Sequence, residues 1–263
     1  MGLNNTISLK PILFLFCGIV LSFEAYAGLP ETIAQVRPSV VGIGTIQKTR
    51  VPKLKLQATG FVVADGLHVI TNAHVLSGEL QSSRGEHLVV LVGSGRKPGI
   101  RQAEVIKIDK KYDLALLKLK GLPIPSLRLG DSNRVREGDE CLFTGFPIGA
   151  VLGLYPVTHR SIISAITPVV IPSIHSKKLT AKQIRKLKSP YNVFQLDAIA
   201  YPGNSGSPLY SSSTGKVIGV VNNVLVKESK ESVLSNPSGI AYAIPVKYVR
   251  ALLRDVDVSA DHK

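Results

Sequence analysis

The sequence predicts an all-β protein that is built in two halves and ends in a short helix. Short runs rich in valine, isoleucine and leucine recur along the chain with turn residues between them, a pattern typical of many short strands. A proline- and glycine-rich stretch at 120–131 separates two such series. Helical spacing of apolar residues is clear only near the end, at 245–256. Because strands do not alternate with helices, an all-β architecture is favoured.

The first half is predicted to hold one short helix followed by strands. A helix is expected at 29–36, where Pro38 stops it. Asp65-Gly66 is a hairpin signal between two strands. The expected strands lie at 39–44, 60–64, 67–71, 87–92, 103–109 and 114–119.

The second half repeats the pattern and then changes to a helix. The segment 212–215 is predicted to form a turn between two strands. After Pro245, four apolar residues fall at helical spacing, namely Val246, Val249, Leu252 and Leu253. The expected strands lie at 140–144, 161–171, 192–196, 208–211, 216–226 and 239–244.

The N-terminus has the three parts of a secretory signal peptide. Lys10 precedes an apolar run at 11–23, and Ala25-Tyr-Ala27 supplies an A-x-A cleavage site. The run is shorter than the roughly 20 residues that a membrane-spanning helix needs. We therefore expect residues 1–27 to be removed, with a retained signal anchor as the alternative, and an exported protein that is periplasmic rather than fully secreted. Cys141 would be the single cysteine of the mature chain, so no intramolecular disulfide is expected.

The chain is strongly basic, with a formal net charge of +14. Such a surface attracts anionic partners, but no nucleic-acid-binding motif is present, so no specific nucleic-acid partner is predicted. The segment 176–190 has six basic residues and no acidic one. It is a candidate contact with an anionic membrane surface. A solvated basic loop is the alternative, both there and at 48–55.

Three segments carry the residue types of a nucleophilic triad. His74 follows a predicted strand, Asp113 begins an apolar strand, and Ser205 lies between Gly203 and Gly206. A serine hydroxyl is a weak nucleophile that needs a histidine base, which in turn needs a carboxylate to hold its tautomer. The order His, Asp, Ser along the chain is that of chymotrypsin, and differs from subtilisins and α/β-hydrolases.

These segments resemble the signature blocks of trypsin-like peptidases, in particular of the bacterial HtrA branch. The blocks are Thr71-Asn-Ala-His-Val75, Asp113-Leu-Ala-Leu-Leu117 and Gly203-Asn-Ser-Gly-Ser-Pro208. Supporting similarity is found at 37–41, 60–63 and 239–245. The resemblance covers nearly the whole chain after residue 27.

The resemblance implies the chymotrypsin fold, with two six-stranded β-barrels at about 28–125 and 126–245 and a C-terminal helix at about 246–256. It implies a serine endopeptidase that acts on exported or envelope proteins or peptides, without a cofactor or a metal. HtrA relatives are often trimeric, which suggests a trimer by analogy. The residues of this sequence do not themselves determine the oligomeric state.

The triad would lie in the cleft between the barrels. His74 would be the general base, Asp113 would orient it, and Ser205 would be the nucleophile. The glycines beside Ser205 let the backbone curl, so that the amides of Gly203 and Ser205 can form the oxyanion hole.

The resemblance also implies a substrate pocket. Its floor would be Ile199, six residues before Ser205, with Ala200 and Ile240 on its walls. An apolar floor suits small or medium aliphatic P1 side chains. The alternative is that Ile199 is an ordinary core residue.

Three features depart from the HtrA pattern. The 263 residues contain no match to the PDZ modules that usually follow, so recognition through such a module is not expected. Ser207 stands where HtrA loops carry glycine, and the stretch between the predicted strands at 161–171 and 192–196 is longer than expected. Because of Ser207 and the basic segment 176–190, a pseudoprotease or a basic envelope-binding module on the same fold remains as the alternative function.

Overall fold

The computed structural model of the protein describes residues 28–76, 85–147, 153–169, 190–222 and 239–260. The predicted signal peptide at 1–27 and most of the basic segment 176–190 lie outside these ranges, and their predictions stay predictions. In the described part of the chain, no helix is long and apolar enough to cross a membrane.

Six antiparallel strands of the first half close into a barrel with the order β1-β2-β3-β6-β5-β4. β-Branched and leucine side chains dominate these strands, which suits them to a pleated and half-buried surface. The strands are β1 (Val40–Ile46), β2 (Leu54–Val63), β3 (His68–Asn72), β4 (His87–Val92), β5 (Gly99–Asp109) and β6 (Leu114–Leu119).

The second half forms a second closed barrel, with the order β10-β11-β12-β9-β8-β7. The predicted pair of six-stranded barrels is therefore confirmed. The strands are β7 (Glu140–Gly145), β8 (Val157–Pro168), β9 (Asn192–Asp197), β10 (Pro208–Ser211), β11 (Val217–Asn222) and β12 (Ile240–Pro245).

Three strands start several residues earlier than the sequence pattern predicts. β5 begins at Gly99 instead of residue 103, because Gly99 pairs with Val92 of β4. β2 begins at Leu54 instead of residue 60, because its first residues pair with the end of β1 beyond a register shift at Ile43/Gly44. β8 begins at Val157 instead of residue 161, because Val157 pairs with Gly145 of β7. The extension of β8 is mostly polar, so its strand character depends on cross-strand pairing that the local pattern does not reveal. The extension of β2 alternates apolar and polar residues from Leu54 to Gln57, a strand pattern that the prediction overlooked.

Helices at the two ends of the chain pack onto the barrels. The predicted C-terminal helix forms at Val246–Arg254 and buries the expected apolar stripe. The N-terminal helix forms at Leu29–Val36, and Val36 joins a buried cluster that contains Tyr210 and Val217 of the second barrel. Fully burying one such aliphatic side chain stabilises the fold by roughly 1.5–3 kcal/mol. Thr32 and Val36 also lie 3.6 Å from the position that a Cβ on Gly215 would take, so the N-terminal helix packs against the barrel that comes later in the chain.

Candidate active site

The pairing of β3 with β6 brings His74 and Asp113 together. Asn72, the last residue of β3, lies opposite Leu114, the first residue of β6. The residues just beyond these strand ends are therefore neighbours. His74 lies in a short 3-10 turn, and the preceding Ala73 N–H donates to the Asp113 carbonyl at 3.1 Å. The turn that carries the histidine is thus tied to the strand that carries the acid.

The Asp113 carboxylate holds His74 at two points. The His74 backbone N–H donates to Oδ1 at 2.8 Å, and the ring Nδ1 lies 2.6 Å from Oδ2. Asp113 has a left-handed backbone with a φ of 53°, which is uncommon outside glycine and concentrates at functional sites. A carboxylate at Nδ1 favours the tautomer that is protonated there, which leaves Nε2 as the basic nitrogen.

The second barrel contributes a residue that the sequence analysis missed. Asn222, the buried last residue of β11, donates from Nδ2 to Asp113 Oδ2 at 2.7 Å. The carboxylate is therefore held from both barrels. Burial raises the pKa of the Tyr191 phenol, and the nearby negative charge of Asp113 raises it further. Tyr191 consequently stays neutral beside the acid. The signal for Asn222 was a polar amide at the end of an otherwise apolar strand.

Ser205 lies in the loop between β9 and β10, and two glycines set the shape of this loop. Gly203 has a φ of 103° and Gly206 a φ of 84°, values that favour glycine. A Cβ on Gly203 would lie 2.3 Å from the Phe146 carbonyl oxygen, and one on Gly206 would lie 2.1 Å from the Thr59 carbonyl oxygen. Neither position has room for a side chain, so both glycines are needed to fold the loop around Ser205.

Turns within the loop orient the amides that are predicted to bind the oxyanion. The Asn204 N–H donates to the Tyr201 carbonyl at 3.0 Å, and the Ser207 N–H donates to the Asn204 carbonyl at 3.0 Å. Neither the Gly203 N–H nor the Ser205 N–H donates to a carbonyl of the described backbone. The backbone hydrogen bonds that form the turns of this loop therefore do not use the N–H groups of Gly203 and Ser205.

Ser207, where the chain departs from the HtrA pattern, fits because Gly145 faces it. The Ser207 side chain is fully buried, and its Oγ has no hydrogen-bond partner among the described residues. A Cβ on Gly145 would lie 2.1 Å from that Oγ and 2.8 Å from Asn204 Oδ1. The Ser207 hydroxyl thus occupies the space that a side chain at position 145 would fill.

The three residues predicted to line the substrate pocket lie near one another in the second barrel. Ile240, the first residue of β12, is paired with Asp197, the last residue of β9, and Ile199 and Ala200 follow two and three residues after Asp197. Ala200 packs into the buried core of this barrel. Ile240 has 42% of its surface exposed. Ile199 is partly exposed and lies outside the buried clusters.

Two further titratable side chains lie in the second barrel. The Cys141 thiol donates to the Ser161 carbonyl at 3.5 Å, and burial raises its pKa to about 12. Such a thiol is protonated at neutral pH and is not a nucleophile. His159 stacks on Phe143, with 4.7 Å between the ring centroids, and burial lowers the pKa of its imidazole. In the ranges that the structure describes, no group of three or more His, Cys, Asp or Glu side chains could hold a metal ion.

Two closed antiparallel barrels, a hydrogen-bonded His-Asp pair and a glycine-framed serine loop define the class of trypsin-like folds. A family model for the trypsin-like peptidase domain matches residues 58–220, which is more than half of the chain. The chain belongs to this family, and the resemblance predicted from its motifs is confirmed.

The chain is similar to HtrA-type proteases. It is 29% identical over 188 residues to a probable periplasmic serine endoprotease, DegP-like, from Halomonas elongata, covering 72% of this chain and 32% of that protein. It is 27% identical over 234 residues to serine protease HTRA4 of Mus musculus, covering 88% of this chain and 41% of that protein. The chain thus spans about a third to two fifths of the length of these curated relatives.

A solved structure supports the same fold. The HtrA-type protease AlgW with tripeptide superposes with a TM-score of 0.60 at 22% identity, covering 88% of this chain and 64% of that chain. At this identity the likeness is evidence for the fold alone.

Proposed function

We propose that the chain is a serine endopeptidase in which Ser205 is the nucleophile, His74 the general base and Asp113 the residue that orients the base. The observation that carries this proposal is the His74–Asp113 pair, held by bonds of 2.8 and 2.6 Å. The pair lies in a chain whose curated relatives are named serine proteases.

In the proposed reaction, Ser205 Oγ attacks the carbonyl carbon of the scissile peptide bond while His74 Nε2 accepts the hydroxyl proton. Asp113 stabilises the imidazolium that forms. The negative charge on the substrate oxygen is stabilised by the amides of Gly203 and Ser205, and loss of one such donor typically costs about 10²–10³-fold in rate. His74 then gives the proton to the leaving amine, and water hydrolyses the acyl-enzyme by the reverse sequence.

The proposed substrates are unfolded or specific proteins of the cell envelope. This rests on the name of the Halomonas relative, a periplasmic endoprotease, and on the export signal predicted at 1–27. The side chains of Ile199, Ala200 and Ile240 are apolar, so an aliphatic P1 residue is proposed. Cleavage of a peptide library that varies only at P1 tests this preference, and a preference for arginine or lysine would contradict it.

Hydrolysis of casein and of a fluorogenic peptide tests the proposed activity. Wild type should cleave both, whereas Ser205→Ala and His74→Ala should lose at least about a thousandfold in rate, as expected when a triad member is removed. Ser213→Ala changes an exposed serine of the same barrel and should retain full activity. A well-folded wild type that cleaves nothing, with or without unfolded protein as activator, would favour a pseudoprotease.

The basic segment 176–190 is proposed to contact anionic lipid. Binding to vesicles that contain phosphatidylglycerol should weaken with rising salt and with replacement of its lysines by glutamine. Equal binding to neutral vesicles would contradict this contact.

A further inference from the structure

Thr59 of β2 uses both its backbone and its hydroxyl to hold the loop that carries Ser205. Its N–H donates to the Ser205 carbonyl at 3.0 Å. Its Oγ1 donates to the Gly203 carbonyl at 2.7 Å and accepts from the Phe146 N–H at 3.0 Å. Thr59 is fully buried, so these bonds are shielded from water. One residue of the first barrel is thus bonded to three residues of the second.

The Thr59 hydroxyl donates one hydrogen bond and accepts another, so its single proton is committed to the Gly203 carbonyl. Its own carbonyl accepts from Thr71 Oγ1 at 2.8 Å. Thr59 is therefore anchored in the first barrel, and the position of its hydroxyl is set by that barrel. Through its bonds to the loop, Thr59 sets the position of the Ser205 loop relative to the first barrel.

These bonds fix the orientation of two peptide groups in the loop, Gly203–Asn204 and Ser205–Gly206. The Gly203–Asn204 peptide is held at its carbonyl by Thr59 Oγ1 and at its N–H by the Tyr201 carbonyl. The carbonyl of Ser205 is held by the Thr59 N–H. Without the bond from Thr59, the Gly203–Asn204 peptide is held only at the Asn204 N–H. Because glycine has an unusually free backbone, Gly203 can then rotate, and its N–H with it.

We infer that Thr59 is a positioning residue for the proposed peptidase reaction, on which this inference rests. Its hydroxyl fixes the Gly203 carbonyl and thereby aims the Gly203 N–H at the oxyanion. Thr59 acts through Gly203, because Thr59 itself does not contact the reacting atoms. Interactions that are made only in the transition state change kcat more than KM. The expected signature of a lost Thr59 hydroxyl is therefore a fall in kcat.

Thr59→Val removes the hydroxyl and keeps the branched shape, whereas Thr59→Ser keeps the hydroxyl. In the full chain, with a fluorogenic peptide, we expect Thr59→Val to lower kcat by about 10²-fold, as for loss of one oxyanion donor. KM should stay within about threefold, because binding of the ground state is largely unchanged. Thr59→Ser should retain kcat within about fivefold. A peptide boronate, which mimics the tetrahedral intermediate, should lose affinity for Thr59→Val in parallel with kcat.

Thr45→Val is the matched control, because Thr45 is also buried in the first barrel and its Oγ1 donates to Glu86 at 2.6 Å, away from the loop. It should lower the melting temperature without lowering kcat. Should Thr59→Val fail to fold, Thr59→Ala removes the same hydroxyl from a smaller side chain.

The outcomes separate the inference from the proposed function. A wild type without turnover, equal to Ser205→Ala, contradicts the proposed function. An active wild type with Thr59→Val and Thr59→Ala both within threefold of its kcat contradicts only the role of Thr59. Equal losses of kcat in Thr59→Ser and Thr59→Val, with matching falls in melting temperature, would show that Thr59 has a structural role and contradict the inference.

Discussion

Gly145→Ala offers a direct test of the packing beneath the nucleophile loop. The new Cβ would lie 2.1 Å from Ser207 Oγ, 2.8 Å from Asn204 Oδ1 and 2.9 Å from Thr59 Oγ1. All three side chains are buried, so they have little space into which to move. The methyl group therefore pushes on both sides of the loop that carries Ser205.

The expected loss of stability is that of an overpacked core, about 1–3 kcal/mol. For a domain of about this size, one kcal/mol corresponds to roughly 2–4 °C in melting temperature. Gly145→Ala should thus melt about 2–12 °C below wild type. Its kcat should also fall, because the same contacts hold the loop.

Thermal melts and urea unfolding of four proteins measure this effect, namely wild type, Gly145→Ala, Ser207→Gly and the double variant. Because Ser207→Gly removes the nearest clashing atom, the double variant should recover at least about 1 kcal/mol of the loss as coupling energy. Gly99→Ala is the matched control, since its Cβ would meet only the Val92 carbonyl oxygen at 3.6 Å. Equal stability of Gly145→Ala and Gly99→Ala, or additive losses in the double variant, would refute the reasoning.

Further predictions concern three polar groups of the second barrel. Asn222→Ala removes the 2.7 Å bond to the Asp113 carboxylate. Because a bond to a charged group contributes about 1.5–3 kcal/mol, kcat/KM should fall about 10- to 150-fold. An unchanged pH–rate profile and kcat/KM would contradict this. Burial lowers the pKa of His159, so the unfolded chain takes up a proton that the folded chain resists as pH falls through the ordinary range near 6.5. The stabilising contribution of neutral His159 is therefore present above that pH and lost below it. Between about pH 7 and pH 5, the melting temperature of His159→Gln should fall less than that of wild type. The pKa of Cys141 is raised to about 12, so mass spectrometry should find its thiol unlabelled by a maleimide in the native protein and labelled in urea; rapid native labelling would contradict its burial.

The sequence is sufficient to predict features that depend on neighbouring residues in the chain. The loop around Ser205 is recognisable because its glycines are required locally by positive φ values. The C-terminal helix is recognisable because its apolar residues recur at helical spacing, and they are the residues that it buries. His74 and Asp113 are recognisable because each stands at the end of an apolar strand.

Features that depend on the register of the barrels could not be predicted in this way. Asn222 and Thr59 reach the site only because two closed barrels bring their strands to the same cleft, and neither belongs to the motif blocks. The fit between Ser207 and Gly145 joins positions 62 residues apart in the chain (207 − 145). The strand β8 extends back to Val157 because Val157 pairs with Gly145 of β7, although the sequence at 158–160 is polar. Such long-range contacts leave no periodic pattern in the sequence.

Labelling with a fluorophosphonate probe tests the central claim most directly, because the probe reacts with a serine only when an assembled triad activates it. The wild-type protein should be labelled at Ser205, located by peptide mass spectrometry. Labelling should be lost in Ser205→Ala and strongly slowed in Asp113→Asn, whose carboxamide favours the wrong histidine tautomer. Labelling at another residue, or equal labelling of wild type and Asp113→Asn, would contradict the account.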